Sequence, residues 1–197
     1  MDLSFSALAP RLDQPDTLAA SHDITSPPGF RNAAVIVPLI ARQDGLRLIF
    51  NKRAAHLDAH AAQVSFPGGR YDPGDADLLA TACRELEEEL GIPPSQHRPL
   101  CRLPERLVIS YFQITPFVSL IAPEAQIQPD PGEVAYVFEV PLAHFTSPKT
   151  LRTAQGDVFG QPCVFYNWEY EGETIWGATG RILADLLRLL GVGHLEA

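Results

Sequence analysis

Cysteine is scarce in this chain. Cys83, Cys101 and Cys163 are the three in 197 residues, an odd and widely spaced set that fits neither a disulfide framework nor a zinc site. Long apolar runs are missing too. The longest, residues 33–41 (AAVIVPLIA), is strand-sized and carries a proline, well short of a membrane span. Residues 1–15 (MDLSFSALAPRLDQP) show no basic start followed by an apolar stretch. No secretory signal is therefore expected, and a reducing cytoplasm is the expected compartment. Basic charge is in deficit: 15 Lys and Arg against 24 Asp and Glu give a formal net charge of −9. Without a basic stripe, no nucleic-acid partner is expected. A small anionic substrate is not excluded, because acidic residues gathered at one site hold metal ions that receive a phosphate.

What is present suits one folded domain. Apolar residues make up 46% and charged residues 20%, ordinary for a globular chain long enough to bury a sizeable core. Residues 1–30, rich in Pro, Ser and Asp, read as a short helix and an irregular lead-in; residues 31–197 read as a single domain. The apolar runs 33–41 and 46–50 flank Gln43-Asp44-Gly45, the signature of a hairpin. A glycine-punctuated loop from Phe66 to Gly74 follows. A helix is expected over 76–90, stopped by Gly91 with Pro93-Pro94 beyond it. Strands are expected over 114–121, 134–140, 158–170 and 174–176. A last helix over 180–190 is marked by Ile182, Leu183, Leu186, Leu187 and Leu190. The mixture reads as one α/β domain, and the order of elements does not say which.

The informative segment is Arg84-Glu85-Leu86-Glu87-Glu88-Glu89-Leu90-Gly91-Ile92. At about 100° per residue, Glu85, Glu88 and Glu89 share one sector of the helix. Leu79, Ala82, Cys83, Leu86 and Leu90 form the neighbouring apolar face, and Glu87 points away. Like charges at these spacings repel by roughly 0.2–0.5 kcal/mol per pair, and they sit at the helix end where the macrodipole disfavours anions. A solvated acidic face and a divalent-cation site both account for the run. The second also explains why Arg84 is the one basic residue beside these carboxylates, since Mg²⁺ takes a few carboxylate oxygens plus water and phosphate.

These residues resemble the Nudix box, GX5EX7REUXEEXGU with U a bulky aliphatic residue. Arg84, Glu85, Leu86, Glu88, Glu89, Gly91 and Ile92 match every specified position of its second half. The first half departs: the glutamate position is Ala76 and the glycine position Arg70, with Gly68-Gly69 just before. This shifted loop is similar to that of one subgroup, the coenzyme A pyrophosphatases, which carry FPGG and then aspartates. Phe66-Pro67-Gly68-Gly69 with Asp72, Asp75 and Asp77 fits that version. The subgroup's upstream element, LLTXRSXXLRXHXGQVXFPGG, is matched by Arg53, Leu57, His60, Gln63 and Phe66, with its second arginine replaced by Asp58 and its glycine by Ala62. The likeness runs from about residue 31 to 190.

The resemblance implies an α/β/α Nudix sandwich with a mixed sheet and a catalytic loop–helix–loop. It implies hydrolysis of the diphosphate of coenzyme A or its derivatives to 3′,5′-ADP and 4′-phosphopantetheine. Glu85, Glu88 and Glu89, with the Gly69 carbonyl, would hold Mg²⁺ or Mn²⁺. Arg84 would orient the glutamates, and Gly68 and Gly69 would let the backbone approach substrate. The general base would be a box glutamate or Glu133, which reads equally well as a surface turn residue before a strand. Arg53 would meet substrate phosphate or stand as a plain surface arginine. A homodimer is expected by analogy. Other readings stay open: turnover of ADP-ribose, NADH or another nucleoside diphosphate derivative, or a binding module without turnover. His56 and His60, spaced i and i+4, lack a third ligand, so no zinc site is expected. Cys83, on the apolar helix face, is expected to be a buried small hydrophobe.

Overall fold

The computed structural model describes residues 2–22, 24–57, 60–193 and 195. The hairpin opens the core: β1 (Arg31–Arg42) and β2 (Gly45–Arg53) pair antiparallel, Leu39 opposite Leu48. Alternate residues of β1 face opposite sides of the sheet. Ala34, Ile36 and Ile40 enter one core and Val37 and Leu39 the other. Two-sided burial is why the run is apolar throughout. Pro38 is accommodated because that edge of β1 changes partner there. β4 (Gly68–Arg70), which follows the short β3 (Val64–Ser65), pairs with residues 33–35, and β2 takes over only at Leu39, so the missing N–H of Pro38 breaks no ladder bond.

On one face lies α2 (Leu78–Leu90), its stripe of Leu78, Ala82, Leu86 and Leu90 fully buried against β1 and its neighbours. Asp77 caps its start, accepting from the Ala80 amide at 2.8 Å, and Gly91 ends it in the left-handed conformation at φ 66°, the stop its sequence indicates. Beyond it come β5 (His97–Arg102), β6 (Arg106–Val108) and β7 (Phe112–Ile121). β7 runs parallel to β1, and this pairing makes the sheet mixed. β8 (Val134–Pro141) joins on the far edge of β2 and leads into α3 (Leu142–Phe145). The main path of strands is β3-β2-β1-β7-β5, with β4, β6 and β8 off it.

The expected strand over 158–170 is instead a hairpin, β9 (Leu151–Val158) and β10 (Gln161–Tyr170). Phe159 and Gly160 turn it at φ 55° and 79°, a two-residue turn with both residues left-handed. Phenylalanine is an uncommon choice at a left-handed turn position, so Phe159 gives no turn signal of its own. β11 (Glu173–Ile175) completes this second, three-stranded sheet, and α4 (Gly177–Leu190) covers the other face of the large sheet. α1 (Phe5–Leu12) adds Leu8 and Leu12 to the core under α4, and Arg11 Nη1 donates to the Leu190 carbonyl at 2.5 Å. Helices on both faces of a mixed sheet make the expected α/β/α sandwich. Among the described residues, no helix is long and apolar enough to cross a membrane.

Candidate active site

The last turns of α2 and the glycines of β4 meet beside one cleft. Its volume is about 610 Å³ and its lining includes Arg70, Asp72, Asp75, Arg84, Glu85 and Glu88, a size suited to a small-molecule ligand. The approach is close because β4 has no side chain to interpose. A Cβ on Gly69 would collide with the Glu85 carboxyl group, and one on Gly68 (φ 154°) with the Ala34 carbonyl.

The three glutamates differ in setting. Glu88 is exposed and Glu85 is mostly covered, and both accept from Arg84 Nη1 at 2.8 Å. Glu89 is buried. Its Oε2 accepts from Asn51 Nδ2 at 2.7 Å and from the Gly68 amide at 3.3 Å, and Arg53 Nη1 lies 3.6 Å from Oε1. Burial pushes the Glu89 carboxyl up to about 8, against the pull of Arg53's charge. Burial likewise raises Glu85, with Arg84 opposing. Arg84 is itself clamped: Nε and Nη2 bind the two oxygens of Asp75 at 3.0 and 3.1 Å, and Nη2 also reaches the Arg70 carbonyl at 3.3 Å. The guanidinium holds the Asp75 carboxyl below its ordinary range.

Among the described residues, no three His, Cys, Asp or Glu side chains converge as they stand on one ion position. Glu85 and Glu88 turn to Arg84 while Glu89 turns to Asn51. The residues nonetheless fit a hard divalent cation in kind. Two carboxylates are withdrawn from water without full compensation, and the buried Asn51 Oδ1 lacks a partner beside Glu89. Oxygen donors of this sort are what Mg²⁺ and Mn²⁺ accept.

Glu133 is exposed, and its charge raises both Glu85 and Glu89, so it stands within electrostatic reach of both. The loop before it docks on the open end of α2. The amides of Gln128 and Asp130 donate to the carbonyls of Leu90 and Glu89 at 2.8 and 3.0 Å, supplying partners that a helix end requires. The Ala54 amide then donates to the Glu133 carbonyl at 2.9 Å, tying this loop to the end of β2.

In the upstream element, the Arg53 amide donates to the Gln63 carbonyl at 3.0 Å. Ala62, where the subgroup has glycine, sits left-handed at φ 55°. Asp58 lies outside the described residues. His56 and His60 occupy turns rather than a helix, bonded to the Gly132 carbonyl and to Gln63, so their spacing gives no shared face. Cys83 is partly buried, its thiol raised to about 11 by burial.

Three residues here had no site role in the sequence. Asn51, the partner of Glu89, was visible as a lone amide closing an apolar strand. Asp75 is the far anchor of Arg84. Arg70 lines the cleft, exposed, and its side chain has no hydrogen-bond or ion-pair partner among the described residues.

Residues 29–159 match the NUDIX domain family. The uncharacterized Nudix hydrolase NudL of Salmonella paratyphi B is 40% identical over 166 residues, covering 82% of this chain and 84% of the relative. NudL of Salmonella newport matches to the same extent. The crystal structure of a NUDIX hydrolase from Alicyclobacillus acidocaldarius, 18% identical, aligns at a TM-score of 0.50 over 57% of this chain and 79% of that one, a likeness of fold alone. Nudix hydrolases are diphosphate hydrolases that act on small nucleotide-type substrates and generally use divalent metal ions. With a Nudix match over most of its length and relatives at 40% identity, this chain belongs to the Nudix hydrolase family.

Proposed function

We propose that this chain hydrolyses the diphosphate of coenzyme A or its derivatives to 3′,5′-ADP and 4′-phosphopantetheine. One observation carries the choice of substrate. The element resembling the coenzyme A subgroup closes directly on the carboxylates, with Arg53 and the Gly68 amide on Glu89 and Gly69 against Glu85. Glu85, Glu88 and Glu89, with the Gly69 carbonyl, are the proposed ligands of Mg²⁺ or Mn²⁺. When bound, such an ion polarises the diphosphate and lowers the pKa of the attacking water.

The chain's own residues do the rest. Asn51 and the Gly68 amide fix the orientation of Glu89, and Asp75 fixes Arg84, which steadies Glu85 and Glu88. Glu133, exposed at the rim, is the proposed acceptor of the water's proton, with a box glutamate as the alternative. Of the cations near the cleft, Arg84 is held by three carboxylates and Arg53 by Glu89. Arg70 is therefore the proposed first contact for substrate phosphate.

The test is turnover of coenzyme A by purified protein with Mg²⁺ or Mn²⁺, following 3′,5′-ADP, with ADP-ribose and NADH run in parallel. Efficient cleavage of coenzyme A that is lost in Glu88→Gln supports the reading. Turnover of another substrate instead keeps the chemistry and moves the specificity, with Asp58 and Ala62 the first positions to revert. Binding of any of them without turnover favours a binding module.

A further inference from the structure

A second pocket of about 230 Å³ lies between β6, β10 and α4, sharing no lining residue with the cleft. Arg106, Arg181 and Arg188 line it together with Cys163, Val164 and Tyr166, and no acidic side chain is among its lining residues. In a chain with a net charge of −9 and only 15 Lys and Arg, three guanidiniums around so small a space call for a reason.

A structural ion pair explains part of it. Asp185, buried under the pocket, takes Arg106 through Nε at 2.7 Å and through Nη2, and Arg188 Nη1 lies 3.3 Å from it. Arg188 is also steadied by Tyr166, whose hydroxyl accepts from Nη2 at 2.5 Å and whose ring lies under the guanidinium. One carboxylate thus answers two arginines and fixes both in place. Arg181 is not explained. It shares one face of α4 with Asp185 and Arg188, is half-buried, and among the described residues has no hydrogen-bond or ion-pair partner.

Arg181 brings to the pocket a positive charge that no carboxylate answers among the described residues, beside two guanidiniums already ordered. Guanidiniums held in this way suit the tetrahedral oxygens of a phosphate, and prior ordering lowers the entropy lost on binding. The volume is below the roughly 300–1,000 Å³ of clefts that enclose whole ligands, so it fits a phosphate group rather than a nucleotide. We propose that this pocket is a binding site for a phosphate-type dianion, either inorganic phosphate or the terminal group of a phosphomonoester, held by Arg106, Arg181 and Arg188. The proposal is independent of the substrate assigned to the cleft.

Cys163 is partly accessible and lines the pocket, so it provides a local readout. The full-length chain, freed of metal with a chelator, is treated with the neutral reagent N-ethylmaleimide. Modification of Cys163 is followed by peptide mass spectrometry while inorganic phosphate or glycerol 3-phosphate is titrated against chloride of matched ionic strength. Saturable slowing by phosphate, by the monoester or by both is expected, and the two titrations show which source the site accepts. Arg181→Ala, which removes no internal partner, is expected to fold normally and to weaken protection about tenfold, since a hydrogen bond to a charged group is lost. Arg181→Lys is expected to recover part of it. Protection no greater than chloride gives, or protection undiminished in a folded Arg181→Ala variant, overturns the proposal.

Discussion

Ala62 carries a conflict between side chain and backbone that can be measured. Its φ of 55° is one that alanine adopts at a cost of about 1–2 kcal/mol and glycine does not pay. The residue is exposed, so little packing depends on its methyl group. Ala62→Gly is expected to stabilise the folded chain by about 1 kcal/mol, the gain being trimmed by the greater freedom of glycine in the unfolded state. A denaturant midpoint that does not rise would refute this. Gly69 presents the reverse case. Gly69→Ala drives a methyl group into the Glu85 carboxyl group, so activity is expected to fall at least tenfold through displacement of the glutamate, with the circular-dichroism spectrum unchanged. Both positions were conspicuous in the sequence, Ala62 as a departure and Gly69 as part of FPGG. Neither the strained φ nor the steric gap could be read there, because each depends on where distant chain lies.

At the scale of elements, α2 was the most legible. Its apolar stripe, its glycine stop and its carboxylate sector all follow from local spacing, and the helix begins only two residues later than expected, at Leu78 under its Asp77 cap. What spacing could not give is the partner across the loop. Arg84 binds Asp75 through two nitrogens and Glu85 and Glu88 through the third, a fork that lysine cannot reproduce. Arg84→Lys is accordingly expected to lower kcat/KM by roughly 10–100-fold, the usual loss when a group that orients the active residues is removed. A drop of less than twofold would mean that the clamp is ornamental. The β5–β7 pairing offers a test of another kind. His97 Nδ1 bonds Ser119 Oγ at 2.9 Å, while Nε2 is buried without a partner. Burial lowers the imidazole from its ordinary value near 6.5. The unfolded chain then binds the proton more readily than the folded one. Stability is expected to be whole above about pH 6.5 and to decline as the pH falls below it, levelling once the folded imidazole is also protonated. Comparing urea unfolding of the parent and His97→Gln across pH 5–8 isolates this share. The parent should lose more than the variant on acidification, and equal losses would discard the account.

For the whole molecule, the sandwich itself was within reach of the sequence through the Nudix resemblance. The second sheet was not, since Phe159 is an uncommon residue for the left-handed turn between β9 and β10. The same scale exposes a tension in the design. The fold gathers Glu85, Glu88, Glu89 and Glu133 at one place, buries two of them, and answers them mainly with Arg84 and Arg53. Like charges brought together in a poorly solvated setting destabilise the folded state. A divalent cation that binds only the folded chain should restore that loss, by about 2.7 kcal/mol when present at a hundred times its dissociation constant. Mg²⁺ or Mn²⁺ is therefore expected to raise the unfolding midpoint, and a chelator to lower it again. Glu85→Gln removes one of the repelling charges and one proposed ligand together. Without metal the variant should be no less stable than the parent, and with metal it should gain much less. A variant that is weaker without metal, yet gains as much from Mn²⁺ as the parent, would show that the carboxylates serve the fold through Arg84 and that the ion sits elsewhere.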